Sequence, residues 1–174
     1  GVYYNNGSST ATTTLNNVNF IKNNISGGYY GMYLYYMGGA NTNVTSGTCR
    51  VTIDDNNFTN FYCAGIYSYY YSRYKSISYN NFVSRAASTT QYVLYLNYYN
   101  VIDSGIVGNK ILLQGTSTSD GLYCYYINSS SYAAYPALFA NNEIRKLSGG
   151  STNYGAYVYY PRIKMYNNSM LIKG

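Results

Sequence analysis

The chain is 174 residues long, the size of one domain, and carries 28 Tyr, no Trp, no His and two Pro. With 47% apolar and 9% charged residues it can bury a core, which excludes a disordered chain, and no apolar run reaches the roughly 18 residues of a membrane span. Eleven Lys and Arg against five Asp and Glu give a net charge of +6, but the cations are scattered, so no phosphate-binding track and no nucleic-acid partner are expected.

Two motifs alternate from one end to the other. A degenerate Tyr segment, Gly1-Val2-Tyr3-Tyr4-Asn5, is followed by Phe20-Ile21-Lys22-Asn23-Asn24-Ile25. Next come Gly31-Met32-Tyr33-Leu34-Tyr35 with Ile53-Asp54-Asp55-Asn56-Asn57-Phe58, and Gly65-Ile66-Tyr67-Ser68-Tyr69 with Ile77-Ser78-Tyr79-Asn80-Asn81-Phe82. A second degenerate copy, Gln91-Tyr92-Val93-Leu94-Tyr95, precedes Ile106-Val107-Gly108-Asn109-Lys110-Ile111. The last two rounds are Gly121-Leu122-Tyr123-Cys124-Tyr125 with Phe139-Ala140-Asn141-Asn142-Glu143-Ile144, and Gly155-Ala156-Tyr157-Val158-Tyr159 with Met165-Tyr166-Asn167-Asn168-Ser169-Met170.

Period-two alternation in the Tyr motif predicts a strand with Met32, Ile66, Leu122 and Ala156 on one face and Tyr33, Tyr67, Tyr123 and Tyr157 on the other. The second motif holds one invariant column: Asn23, Asn56, Asn80, Asn109, Asn142 and Asn168. Its spacings of 33, 24, 29, 33 and 26 residues vary, whereas the link around each Asn keeps its length. That is the behaviour of a solenoid, in which loops absorb insertions while strands stay aligned. Asn suits the fixed bend because it tolerates the left-handed conformation, and stacked Asn side chains can hydrogen-bond along their column. The expected fold is therefore all-β, a parallel β-helix (β-solenoid) of about six coils with an Asn ladder at one bend.

This pattern resembles the right-handed parallel β-helix of the pectin-lyase-like group, over all six coils. The resemblance implies three strands per coil, one short Asn-bearing bend and two variable turns. It also implies that the Tyr strands form the sheet whose outer face is the substrate groove in the enzymes of that group. It does not imply an activity, because enzymes, adhesins and phage tailspikes share the architecture.

Glycan hydrolysis needs two or three converging carboxylates. Asp54 and Asp55 are adjacent but point to opposite faces, and Arg162-Ile163-Lys164, which matches an Arg-x-Lys element of polygalacturonases, lies four coils away. The Gly-His-Gly and Asn-Thr-Asp elements of those enzymes are missing. Asp103, Asp120 and Glu143 fall in different coils and read as isolated solvated charges, so no calcium-dependent lyase site is expected. Cys49, Cys63 and Cys124 have no metal spacing and read as small core residues, with a Cys49–Cys63 bridge as the lesser alternative. No catalytic residue, cofactor or metal is expected.

The remaining feature is the tyrosines. Tyr33, Tyr67, Tyr123 and Tyr157 are expected in one outward column, and Tyr35, Tyr69, Tyr95, Tyr125 and Tyr159 in the next, about 4.8 Å apart along each column. Such a wall fits self-association or contact with polysaccharide. The 6 residues after Asn168 and the 23 up to Asn23 together make 29, the mean spacing of the Asn column, so a following copy would continue the repeat. With Gly1 in place of Met, residues 1–174 read as one solenoid domain, a segment of a longer solenoid or a fibre subunit that stacks end to end.

The expected function is an extracellular or cell-surface structural or adhesive solenoid. The alternative is a carbohydrate-active β-helix whose catalytic coils are missing or lost. Ice binding would need ranks of Thr-x-Thr, which only Thr10 to Thr14 resembles. Sequons occur at Asn6, Asn24, Asn43, Asn57, Asn128 and Asn167, leaving glycosylation open.

Overall fold

Six rounds of strand, strand, strand follow one another along the chain. In a computed structural model, which describes residues 1–5, 15–38, 49–131, 133–150 and 152–173, the first coil is β1 (Val2–Asn5), β2 (Asn16–Ile21) and β3 (Asn24–Ser26). Coils two and three are β4 (Tyr30–Tyr35), β5 (Arg50–Asp54), β6 (Asn57–Phe61), then β7 (Ala64–Tyr69), β8 (Arg73–Ser78), β9 (Asn81–Ser84). Coil four is β10 (Gln91–Asn97), β11 (Val101–Val107), β12 (Lys110–Leu113), and coil five is β13 (Ser119–Tyr125), β14 (Ala137–Ala140), β15 (Glu143–Lys146). The sixth is β16 (Asn153–Tyr159), β17 (Ile163–Tyr166) and β18 (Ser169–Ile172).

Every third strand pairs in parallel with its counterpart in the next coil, so the chain builds three six-stranded sheets. Sheet A holds the Tyr strands from β1 to β16, sheet B runs from β2 to β17, and sheet C from β3 to β18. This is the expected β-solenoid. Thr10 to Thr14, Asn6 and Asn43 lie outside the described residues.

Alternation puts one side chain in two into a single axial core. Met32, Leu34, Ile66, Leu94, Leu96, Leu122 and Cys124 from sheet A meet Ile53, Ile77, Ile106 and Phe139 from sheet B and Phe58, Phe82, Ile111 and Ile144 from sheet C. Phe58 and Phe82 lie in consecutive coils and stack at 4.7 Å between ring centroids. All three cysteines are free thiols, two of them fully buried, so the packing reading holds over the disulfide.

The bend from sheet B to sheet C carries the Asn ladder. Asn80 shows the unit: its Nδ2 donates to Ile53 O at 2.8 Å and to Asn109 Oδ1 at 3.0 Å. Its Oδ1 in turn accepts from Asn56 N at 2.9 Å and Asn56 Nδ2 at 3.0 Å. The same unit repeats from Asn23 to Asn168, which satisfies backbone groups that the bend would otherwise strand in the core.

One detail differs from expectation. The left-handed residue is not the ladder Asn but the one before it: Lys22, Asp55, Tyr79, Gly108, Asn141 and Asn167, with φ between 48° and 68°. Turning the chain one residue earlier aims the ladder side chain inward, where it can bond to both neighbours. Outside the bend, Asn57 and Asn81 form a second, exposed row, with Asn81 Nδ2 donating to Asn57 Oδ1 at 2.8 Å.

Candidate contact face

Sheet A presents its alternate side chains outward, and parallel pairing sets them in register. Tyr3 stands against Tyr33, Tyr33 against Tyr67, Tyr67 against Tyr95, Tyr95 against Tyr123, and Tyr123 against Tyr157. The six rings form one unbroken stack, with centroids 5.1, 5.2, 4.6, 4.8 and 5.2 Å apart and planes within 10° of parallel.

This corrects the placement of Tyr95, which belongs to the first column and not the second. Pairing sets Leu94 opposite Leu122 and Tyr95 opposite Tyr123, so Asn97 takes the second-column position between Tyr69 and Tyr125. In that coil Val93 stands where the others have glycine, and the motif therefore gives no cue to the register. The second column is Tyr35 with Tyr69 at 5.7 Å, a break at Asn97, then Tyr125 with Tyr159 at 4.7 Å. Tyr98 leans into the break and meets Tyr69 at 5.3 Å and Tyr125 at 5.2 Å, while Asn97 Nδ2 donates to Tyr95 OH at 2.6 Å.

A third rank was not foreseen. Tyr36, Tyr70, Tyr98, Tyr126 and Tyr160 follow the strands directly, each with positive φ, between 46° and 59°. Non-glycine residues pay about 1–2 kcal/mol for this conformation, and ring contact offsets it: Tyr36–Tyr70 at 4.9 Å, Tyr70–Tyr98 at 5.0 Å and Tyr126–Tyr160 at 5.2 Å. The doublets Tyr35-Tyr36, Tyr69-Tyr70, Tyr125-Tyr126 and Tyr159-Tyr160 were the available signal.

Stacking decides what this surface offers. Within a column each ring face is covered by the next ring, so the wall presents ring edges and phenol hydroxyls. Most of the rings are half-buried by their neighbours, and Tyr157 and Tyr159, in the sixth coil, are 37% and 41% exposed. Charge is nearly absent: in the six strands of sheet A, Asp120 is the one ionisable group besides tyrosine and Cys124.

Asp120 was expected to be solvated and is not. It is 4% exposed, set between Tyr92 and Tyr154 in register, and its Oδ1 has no hydrogen-bond partner. Burial pushes its carboxyl up to about 6, against the lowering effect of the Tyr154 amide. Asp103 is not isolated either, for Arg73 Nη2 sits 2.7 Å and Arg50 Nε 3.2 Å from its carboxylate. Glu143 is exposed on sheet C, as expected, but it shares the fifth coil with Asp120 instead of lying in a coil of its own.

The catalytic candidates stay apart. Asp54, on sheet B, accepts from Ser76 Oγ at 2.7 Å and Ser78 N at 2.8 Å, whereas Asp55 is exposed at the bend. Arg162 donates to the Ala133 and Ala134 carbonyls, beside neither acid. Among the described residues no three His, Cys, Asp or Glu side chains converge, and no helix is long and apolar enough to cross a membrane. Of the sequons, Asn128 is 2% exposed, bonded to Ile102 and Tyr135, and closed to modification.

Burial also holds the phenols protonated. Tyr30 and Tyr92 are pushed up to about 12, and Tyr67 higher still, by desolvation first and then by neighbouring acidic groups. Unfolded tyrosines lose their protons near 10, so stability is full below that pH and is lost as pH rises toward the folded values. Phenolate absorbance on alkaline titration should therefore lag and then rise cooperatively, together with loss of the β circular dichroism signal. A gradual rise centred near 10 with the β signal intact would mean that the rings are free in water.

No family model matches this chain, and neither a curated protein nor a solved structure does.

Proposed function

We propose that the chain is a structural β-solenoid of the extracellular space or cell surface whose Tyr face packs against a second copy of itself or a like solenoid. The observation that carries this is the uncharged wall of stacked rings on sheet A. Ring faces are already occupied within the columns, which disfavours sugars that stack flat on aromatics. Edges and hydroxyls remain, and a phenol both donates and accepts, so the wall is complementary to itself. Two solenoids also share one coil rise, so their rows stay in register over the whole length. Despite a net charge of +6, the cations lie off this face and do not oppose the approach.

Edge strands add a second direction. β1, β2 and β3 at one end and β16, β17 and β18 at the other each pair on one side only. Exposed parallel edges template further pairing, and we infer that a second copy can add to the stack at its ends. Within the solenoid class we read the coil as right-handed and pectin-lyase-like, on its one short Asn bend and two variable turns.

Changing Tyr67, Tyr69, Tyr123 and Tyr125 together to Ser tests the contact reading. Inward residues Ile66, Ser68, Leu122 and Cys124 are untouched, so the β signal should persist while self-association falls by about tenfold or more, since aromatic anchors are commonly worth ~2 kcal/mol. The matching Phe variant, which keeps the stacks and ring edges but loses the hydroxyls, should fall between the parent and the Ser variant. Association equal to the parent in sedimentation would reject the Tyr face. Release of reducing or unsaturated ends from a polysaccharide panel would favour an enzyme instead.

A further inference from the structure

We propose that the tyrosine ladder is a site of oxidative cross-linking, in which a one-electron oxidant joins rings of adjacent coils as dityrosine. The inference does not depend on what the face contacts. It rests on three observations: continuity, spacing and the exposure of the ends.

Continuity comes from the first column, where six rings from Tyr3 to Tyr157 stack without a break. An electron vacancy created on any ring of such a stack can pass to its neighbours. The two ends of this column are exposed, Tyr3 at 71% and Tyr157 at 37% of their surface. Spacing then selects where coupling occurs. Tyr67–Tyr95 at 4.6 Å, Tyr125–Tyr159 at 4.7 Å and Tyr95–Tyr123 at 4.8 Å are the closest parallel pairs of the two columns. Parallel strands set each pair in register, and the ring planes lie within 9° of parallel, so the two rings of a pair meet face to face.

The chemistry balances simply. Each of two phenols gives one electron to the oxidant and one proton to water, leaving two phenoxyl radicals with spin on oxygen and the ortho carbons. An ortho–ortho carbon bond forms between them. The two ortho hydrogens then move to the oxygens, which restores both phenols. Two tyrosines thus become one dityrosine with loss of two electrons and two protons, and two equivalents of a one-electron oxidant, such as a peroxidase intermediate or a photo-oxidant, are consumed. The product would tie coil to coil along the solenoid by covalent bonds on a face where the chain has no disulfide.

The test is to illuminate the full chain, dilute, with a ruthenium bipyridyl complex and persulfate, and to follow dityrosine fluorescence and the mass of cross-linked peptides. The expected products have monomer mass and join Tyr67 to Tyr95, Tyr95 to Tyr123 and Tyr125 to Tyr159. Tyr95→Phe should keep the β signal and abolish the first two links while leaving the third. Tyr135→Phe, which removes the 79% exposed ring of a turn, should leave all three. In guanidinium the pattern should vanish. Links that follow exposure instead, that join separate molecules at high dilution, or that persist unchanged in guanidinium would each overturn the proposal.

Discussion

Asn80→Leu lowers stability by about 3–5 kcal/mol, although the residue touches neither the Tyr face nor any charged group. Leucine removes both the donors to Ile53 O and Asn109 Oδ1 and the acceptor for Asn56 N and Nδ2. Asn56 Nδ2 keeps Phe20 O and Asp54 O, and Asn109 Oδ1 keeps the Asn80 amide. The Asn56 amide and the Ile53 carbonyl are then left without their ladder partner beside a dry core, at about 1–3 kcal/mol for each buried group. The internal control is Asn23→Leu. Asn23 is exposed in the first coil, so losing its donors to Ile21 O and Asn56 Oδ1 costs about 1 kcal/mol or less. Urea midpoints compare the two, and equal shifts would mean that the ladder does not hold the coils together.

Stability also falls by about 2 kcal/mol between pH 4 and pH 7, and Asp120→Asn removes most of that fall. In the unfolded chain the carboxyl ionises near 3.8, whereas burial beneath the tyrosines pushes it up to about 6 in the folded one. Well below pH 3.8 both states hold the proton and this loss is absent. Between those values the unfolded state releases it and the folded state does not, so unfolding gains ground until the folded carboxyl titrates too. Nothing on sheet A offers a counter-charge, and Oδ1 has no donor to hold its ionised form. Asn keeps the shape without the charge. Denaturant midpoints at the two pH values should differ clearly for the parent and little for the variant, and parallel slopes would place Asp120 in water.

These two residues were not equally legible. Asn80 could be read from the chain because its motif repeats six times with a fixed link on either side. Asp120 could not, since what makes it unusual is the company of Tyr92 and Tyr154 from the coils on either side. The third Tyr rank was visible only as doublets, and nothing local announces that a tyrosine will adopt positive φ.

By itself, the sequence determined the class, the number of coils, the bend and the inward or outward sense of the Tyr strands. All of these follow from short periods within one segment, which local geometry imposes wherever the segment lies. The tertiary structure alone decided which ring stands on which, as with Tyr95, because register depends on hydrogen bonds between strands whose connecting turns differ in length. It also decided how Asp103 joins Arg50 and Arg73 and how deeply Asp120 is enclosed. The environment of an outward side chain is made by neighbours one coil up and one coil down, and those neighbours are distant in the chain.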